Sequence, residues 1–139
     1  MSPSDNIEYH TDRKVDVAAF KDILERSGLA PRRPVSDPAR LERMLAAYNL
    51  VLTAWRGGEL VGIATCWSDY AHSGYLADLA VAADCQHSGV GRKLVELAHE
   101  TMGPQVTLIL LSAPAAVGFY PKIGMERFQD CFIDRKSVV

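Results

Sequence analysis

A ten-residue turn constrains this chain more than any other segment. Asp84-Cys85-Gln86-His87-Ser88-Gly89-Val90-Gly91-Arg92-Lys93 lies between an apolar run, 76–83, and an amphipathic run, 94–102. That order reads as strand, glycine-rich turn, helix. Glycines at the mouth of a helix let the backbone come close to a ligand. The first N–H groups of a helix have no partner within it, and the positive end of the helix dipole sits beside them. Such a turn suits a phosphate or pyrophosphate, so the chain is expected to bind a phosphorylated small molecule.

The rest of the chain builds a sheet around that turn. Apolar residues at 15, 17, 18, 20, 23 and 24 have helical spacing, and Ser27-Gly28 ends the helix. The two prolines of Pro31-Arg32-Arg33-Pro34 make a loop. Ser36 or Asp37 can cap a second helix that carries Leu41, Met44, Leu45 and Tyr48 on one face. Residues 50–55 and 60–67 read as strands joined by the hairpin turn Arg56-Gly57-Gly58-Glu59. A polar connection, 68–74, leads to a third strand, 75–83, and then to the turn and a helix over about 90–102. Residues 106–111 read as a buried strand, parallel to the one before the turn because a helix joins them. A short helix, 115–122, follows, with Gly124 in its left-handed cap, and 127–135 is expected to be one last strand. The expected fold is one α/β domain over 1–139. Its mixed, mostly antiparallel sheet has one parallel β-α-β crossover and flanking helices.

Composition narrows the function classes. With 15 basic and 17 acidic residues the net charge is −2, which argues against a broad nucleic-acid or membrane surface. Cys66, Cys85 and Cys131 are an odd number without close pairing, so neither a disulfide framework nor a metal site is expected. Residues 1–10 are polar and unlike a signal peptide, and the expected location is the cytoplasm.

Three glycine-rich motifs compete for the turn. A Walker loop needs Gly-x-x-x-x-Gly-Lys-Ser/Thr, and no such string occurs. The dinucleotide fingerprint needs a third glycine where Leu94 stands. Gln-x-x-Gly-x-Gly remains, filled by Gln86, Gly89 and Gly91. Asp78-Leu79-Ala80-Val81 precedes it, and Gly118-Phe119-Tyr120-Pro121-Lys122-Ile123-Gly124-Met125 follows the next strand. In these three blocks, in this order, the chain resembles the GNAT acyltransferase superfamily over about residues 48–133.

The resemblance implies a fold, a donor and a set of roles. The donor would be acetyl-coenzyme A, its pyrophosphate held by backbone N–H groups of Gln86, His87, Ser88, Gly89, Val90 and Gly91, with added charge from Arg92 or Lys93. The pantetheine arm would lie along Leu79, Ala80 and Val81, with one N–H there facing the thioester oxygen. Tyr120 would protonate the departing thiolate. Many members carry an asparagine seven residues before that tyrosine. Ala113 stands there in this chain, and Ser112 is the candidate hydroxyl in its place.

The base is read from the residues themselves. Asp78 sits in an otherwise apolar strand, where an unpaired charge is costly. It is a candidate to take the amine proton, directly or through water, or to attract an ammonium substrate. Asp69 and His72, on the connection before that strand, are the other candidates, and a water chain to solvent would also serve. Arg32 and Arg33 are solvated loop charges by default, with an acceptor entrance that favours an acidic substrate as the functional alternative. Trp55 and Trp67 are assigned to core packing, with an acceptor wall as the second reading for Trp67. The expected activity is direct acetyl transfer to a primary amine of a small molecule, through a ternary complex. The alternative is a module that binds acyl-coenzyme A with little turnover. A homodimer paired through the last strand is a further expectation.

Overall fold

The computed structural model describes residues 6–136. Five strands form one sheet in chain order: β1 (Ile7–His10), β2 (Leu50–Arg56), β3 (Glu59–Ser68), β4 (Ser73–Val81) and β5 (Thr107–Leu110). The first three pairings are antiparallel and β4–β5 is parallel. Four α-helices accompany them: α1 (Val17–Ser27), α2 (Pro38–Ala47), α3 (Val90–Met102) and the one-turn α4 (Phe119–Lys122).

Local signals explain most of these boundaries. Asp16 caps α1 by accepting the Ala19 N–H at 2.8 Å, and Gly28 ends it at φ 86°. Asp37 caps α2 by accepting the Arg40 N–H, with Pro38 in the first turn. Gly57 turns the β2–β3 hairpin at φ 63°. From Leu60 to Cys66, β3 is buried on consecutive residues, so both faces of the sheet are covered there. Phe20, Ile23 and Leu24 of α1 enter the core, as does Leu41 of α2. Val90, Leu94, Val95, Ala98 and Met102 of α3 do the same. Gly62 of β3 lets α3 lie close, since a Cβ there would stand 3.0 Å from Leu94 Cδ1.

Three expectations need correction. Residues 127–135 form no strand, so among the described residues β5 is an edge strand with β4 as its one neighbour. The 106–111 run is therefore only partly buried: Val106 is in the core, while Ile109 and Leu111 are about half exposed. The apolar residues of the tail stay in solvent, Phe132 at 95% exposure, so no burial rewards pairing with β5 within one chain. The expected helix over 115–122 divides into a 3₁₀ turn, Pro114–Ala116, and α4. Residues 137–139, at the end of the expected dimer strand, lie outside the described residues.

Candidate active site

The glycine turn opens α3 without a side-chain cap. Gly89 holds the cap position at φ 91°, and His87 also lies at positive φ, 67°. The first backbone bond of the helix runs from Lys93 N–H to Gly89 O at 3.0 Å. The N–H groups of Val90, Gly91 and Arg92 therefore have no backbone acceptor, and they point out of the positive end of a 13-residue helix. Gln86 braces the turn: its Nε2 donates to Val81 O at 2.9 Å and to Ser27 O at 3.1 Å. That side chain ties the end of β4 to the end of α1, and the Gln86 backbone N–H donates to Ala83 O at 3.4 Å.

A cleft of about 1070 Å³ runs from this turn along β4. The parallel ladder between β4 and β5 stops at Leu76 and Leu110. Beyond it Ala77, Leu79 and Val81 line one side of the cleft, and Leu110, Leu111 and Ala113 line the other. Residues 77–81 thus present a strand edge that β5 does not cover, which is room for an extended chain to add to the sheet. At the start of β4, Trp67 packs 4.9 Å from Tyr48 and stacks 6.0 Å from Tyr75. All three rings line the cleft, so Trp67, 41% exposed, is a wall of the site, whereas Trp55 is buried.

Asp78 lies on the cleft but is closed off. Its side chain is 1% exposed. One carboxylate oxygen accepts from Arg33 Nε, and the other accepts from Tyr48 Oη at 2.8 Å and Thr65 Oγ1 at 2.6 Å. Arg33 also donates to Ala77 O at 2.9 Å and Arg32 O at 2.8 Å. Burial, and then the Asp78 charge, push the Tyr48 phenol well above its usual value, so it stays a donor. This geometry does not meet the expectation that Asp78 takes the amine proton directly. Both oxygens are occupied, and an ion pair with Arg33 already neutralises the charge.

Tyr120 reaches the same cleft from the other wall. Its carbonyl accepts the N–H of Ile123 at 3.2 Å and of Met125 at 3.1 Å, and Gly124 closes the turn at φ 93°. Phe119 meets the Tyr120 ring edge-on at 5.1 Å. A Cβ on Gly91 would stand 3.3 Å from Phe119 Cζ, so the second glycine of the motif lets α4 seat against the start of α3. Burial raises the Tyr120 phenol above its usual value, and the Arg33 charge partly offsets this.

Of the residues expected at the site, Asp78, Leu79, Val81, Gln86, His87, Gly89, Gly91, Arg92 and Tyr120 line this one cleft. The side chains of Ala80 and Val90 are buried in the core instead. The Ser88 hydroxyl turns into the loop toward Cys85 O, and the Ser112 hydroxyl donates to Ala113 O at 2.8 Å. Ala113, not Ser112, lines the cleft. Asp69 is bound up in its own loop. Its Oδ1 accepts the N–H groups of Ala71, His72 and Ser73 at 2.8–3.1 Å, which holds the carboxyl down at about 2. Cys85 sits beside the turn, yet burial raises its thiol rather than lowering it.

Sequence reasoning missed Tyr48 and Arg40 as cleft residues. The signal was present for both: Arg40, Met44 and Tyr48 repeat every fourth residue on one stripe of α2. Among the described residues no helix is long and apolar enough to cross a membrane. Nor do three His, Cys, Asp or Glu side chains there converge as metal ligands.

Comparison with known proteins agrees with this geometry. No curated protein matches the chain. Among solved structures, a protein from Deinococcus radiodurans R1 superposes with a TM-score of 0.75 at 23% identity, covering 95% of this chain and 90% of that one. A GNAT family acetyltransferase of Streptococcus pneumoniae TIGR4 gives 0.69 at 22%, covering 94% and 99%. An aminoglycoside acetyltransferase from an uncultured soil metagenomic sample, in complex with trehalose, gives 0.71 at 17%, covering 97% and 98%. At these identities the likeness is one of fold. The model of the acetyltransferase (GNAT) family matches residues 17–125, and the chain belongs to that family.

Proposed function

We propose that the protein transfers an acetyl group from acetyl-coenzyme A directly to a primary amine of a small molecule. The observation that carries this reading is a single cleft that joins three features: the uncapped start of α3, the uncovered edge of β4 and the Tyr120 phenol. The backbone N–H groups of Val90, Gly91 and Arg92 suit a pyrophosphate. The edge of residues 77–81 suits the pantetheine arm, and a fixed N–H there polarises the thioester carbonyl.

The amine nitrogen attacks the carbonyl carbon, the carbon–sulfur bond breaks, and Tyr120 gives its proton to the sulfur. A phenol raised by burial is fully protonated at neutral pH, as that role requires. Tyr120 regains its proton from solvent. The amine loses its proton to water in the open cleft. Asp78 acts as a positioning residue that fixes Arg33 and Tyr48.

The test is thiol release from acetyl-coenzyme A across a panel of small amines, with mass detection of the acetylated product. Tight coenzyme A binding without transfer to any amine would replace this reading with the binding-module one. The uncovered edge of β5 and the exposed Phe128, Phe132 and Ile133 support pairing of two copies, which sedimentation would detect.

A further inference from the structure

The cleft is basic, and the inference drawn from this rests on the acetyl-transfer reading above. Five arginines line the cleft, Arg32, Arg33, Arg40, Arg92 and Arg135, against one acid, Asp78. Two of the five are already neutralised. Arg33 closes on Asp78, and Arg92, beside the glycine turn, pairs with Glu96 at 2.9 Å. Arg32, Arg40 and Arg135 have no salt-bridge partner among the described residues. Three cations therefore face this cleft without an acid to answer them.

Arg40 is placed by α2, whereas Arg32 comes from the loop before it and Arg135 from the tail. Arg40, Met44 and Tyr48 form one stripe that lines the cleft. The stripe ends where Tyr48 meets Asp78 and Trp67, near the start of β4. Arg40 stands two turns before Tyr48 on that stripe, about 12 Å along the helix, and lines the same cleft. The rings of Tyr48, Trp67 and Tyr75 offer this cleft an apolar wall, and Arg40, farther along the stripe, offers it a charge.

We propose that the acceptor is a small aromatic or apolar amine that also carries a carboxylate, read by Arg40 with help from Arg32 or Arg135. An arginine fork matches a carboxylate with two parallel hydrogen bonds, and the aromatic wall holds the body of the substrate. A polycationic amine is a poor acceptor on the same grounds. It would meet three unneutralised guanidinium groups, and the one acid of the site is closed by Arg33.

The test uses amines matched except for the carboxylate, phenethylamine against phenylalanine and tyramine against tyrosine, with spermidine as the polycation. Thiol release is measured at saturating acetyl-coenzyme A. The carboxylated amine of each pair is expected to show a kcat/KM higher by about tenfold, the size of one charged hydrogen-bonded contact. Arg40→Gln is expected to raise the KM of the carboxylated amine by about the same factor and to leave the KM of acetyl-coenzyme A unchanged. Preference for the uncharged amine or for spermidine overturns the proposal. So does an Arg40→Gln effect that falls on acetyl-coenzyme A, which would assign the arginine to the donor phosphates. Calorimetric titration of the same amines into coenzyme A-saturated protein reads acceptor preference without turnover. Absence of thiol release with every amine would end the transfer reading, while the binding preference would still decide this one.

Discussion

Arg33 and Asp78 stand 45 residues apart in sequence and close on each other in the wall of the cleft. The carboxylate is shut away by that contact, and Tyr48 and Thr65 hold its other oxygen. Breaking a buried pair by removing one member leaves the other charge uncompensated, at about 3 kcal/mol. Asp78→Asn is therefore expected to lower the unfolding free energy by about 3 kcal/mol in urea titrations. The acidic limb of the pH–rate profile should persist in whatever activity remains. Disappearance of that limb would return the role of base to Asp78.

Tyr120→Phe separates acid catalysis from binding. A positioned acid contributes on the order of 10²-fold or more, so kcat is expected to fall by about that factor. Acetyl-coenzyme A binding, measured by calorimetry, should change little. The wild-type phenol is raised above its usual value of 10.0, so its protonated form is kept to a higher pH than a free phenol would allow. The wild-type rate should accordingly show no alkaline decline from this group below about pH 10. An unchanged rate in Tyr120→Phe would remove Tyr120 from the mechanism.

The two turn glycines should fail in different ways. Gly89 sits at φ 91° with open space around its Cβ position, so Gly89→Ala meets backbone strain of about 1–2 kcal/mol and no clash. Gly91→Ala meets Phe119 at 3.3 Å and must push that ring by a few tenths of an ångström. Gly89→Ala is expected to lower Tm and raise the KM of acetyl-coenzyme A together. Gly91→Ala should raise the KM and also lower kcat, because Tyr120 follows Phe119 in the same one-turn helix. Steady-state kinetics beside thermal melts distinguish the two.

Asp69 offers a pH test of a loop. Three backbone N–H groups hold its carboxyl at about 2, below the ordinary 3.8. A folded value below the unfolded one means stability that is present above the unfolded value and lost as pH falls through the folded one. Asp69→Ala is expected to melt below wild type near neutral pH. The gap should narrow as pH drops from about 4 toward 2. A gap that does not vary with pH would show that the loop bonds do not depend on ionisation.

Legibility in the sequence followed the range of the signal. The helix expected at about 90–102 is α3 at Val90–Met102, because Gly89 before it and Gly103 after it act on their own neighbours. Asp16, Asp37 and Gly57 worked at the same short range. The tail shows the opposite case. Residues 127–135 have strand-like composition, but a strand needs a partner edge and a covered face, and neither is stated by the residues themselves. The core assignment of Trp67 failed likewise, since its exposure depends on where Tyr48 and Tyr75 arrive.

By itself, the sequence determined the turn: Gln86, Gly89 and Gly91 stand after an apolar strand and before a helix whose first N–H groups are left without partners, and spacing alone excluded the Walker and dinucleotide motifs. Only the tertiary structure decided the charge balance of the cleft. Whether Asp78 is a base or a counter-ion turns on Arg33, Tyr48 and Thr65, which come from a loop, the end of α2 and a neighbouring strand. Turn chemistry is written in adjacent residues because dihedral angles and helix ends are local. The charge state of a cleft sums over residues far apart in the chain, and folding is what brings them within reach of one another.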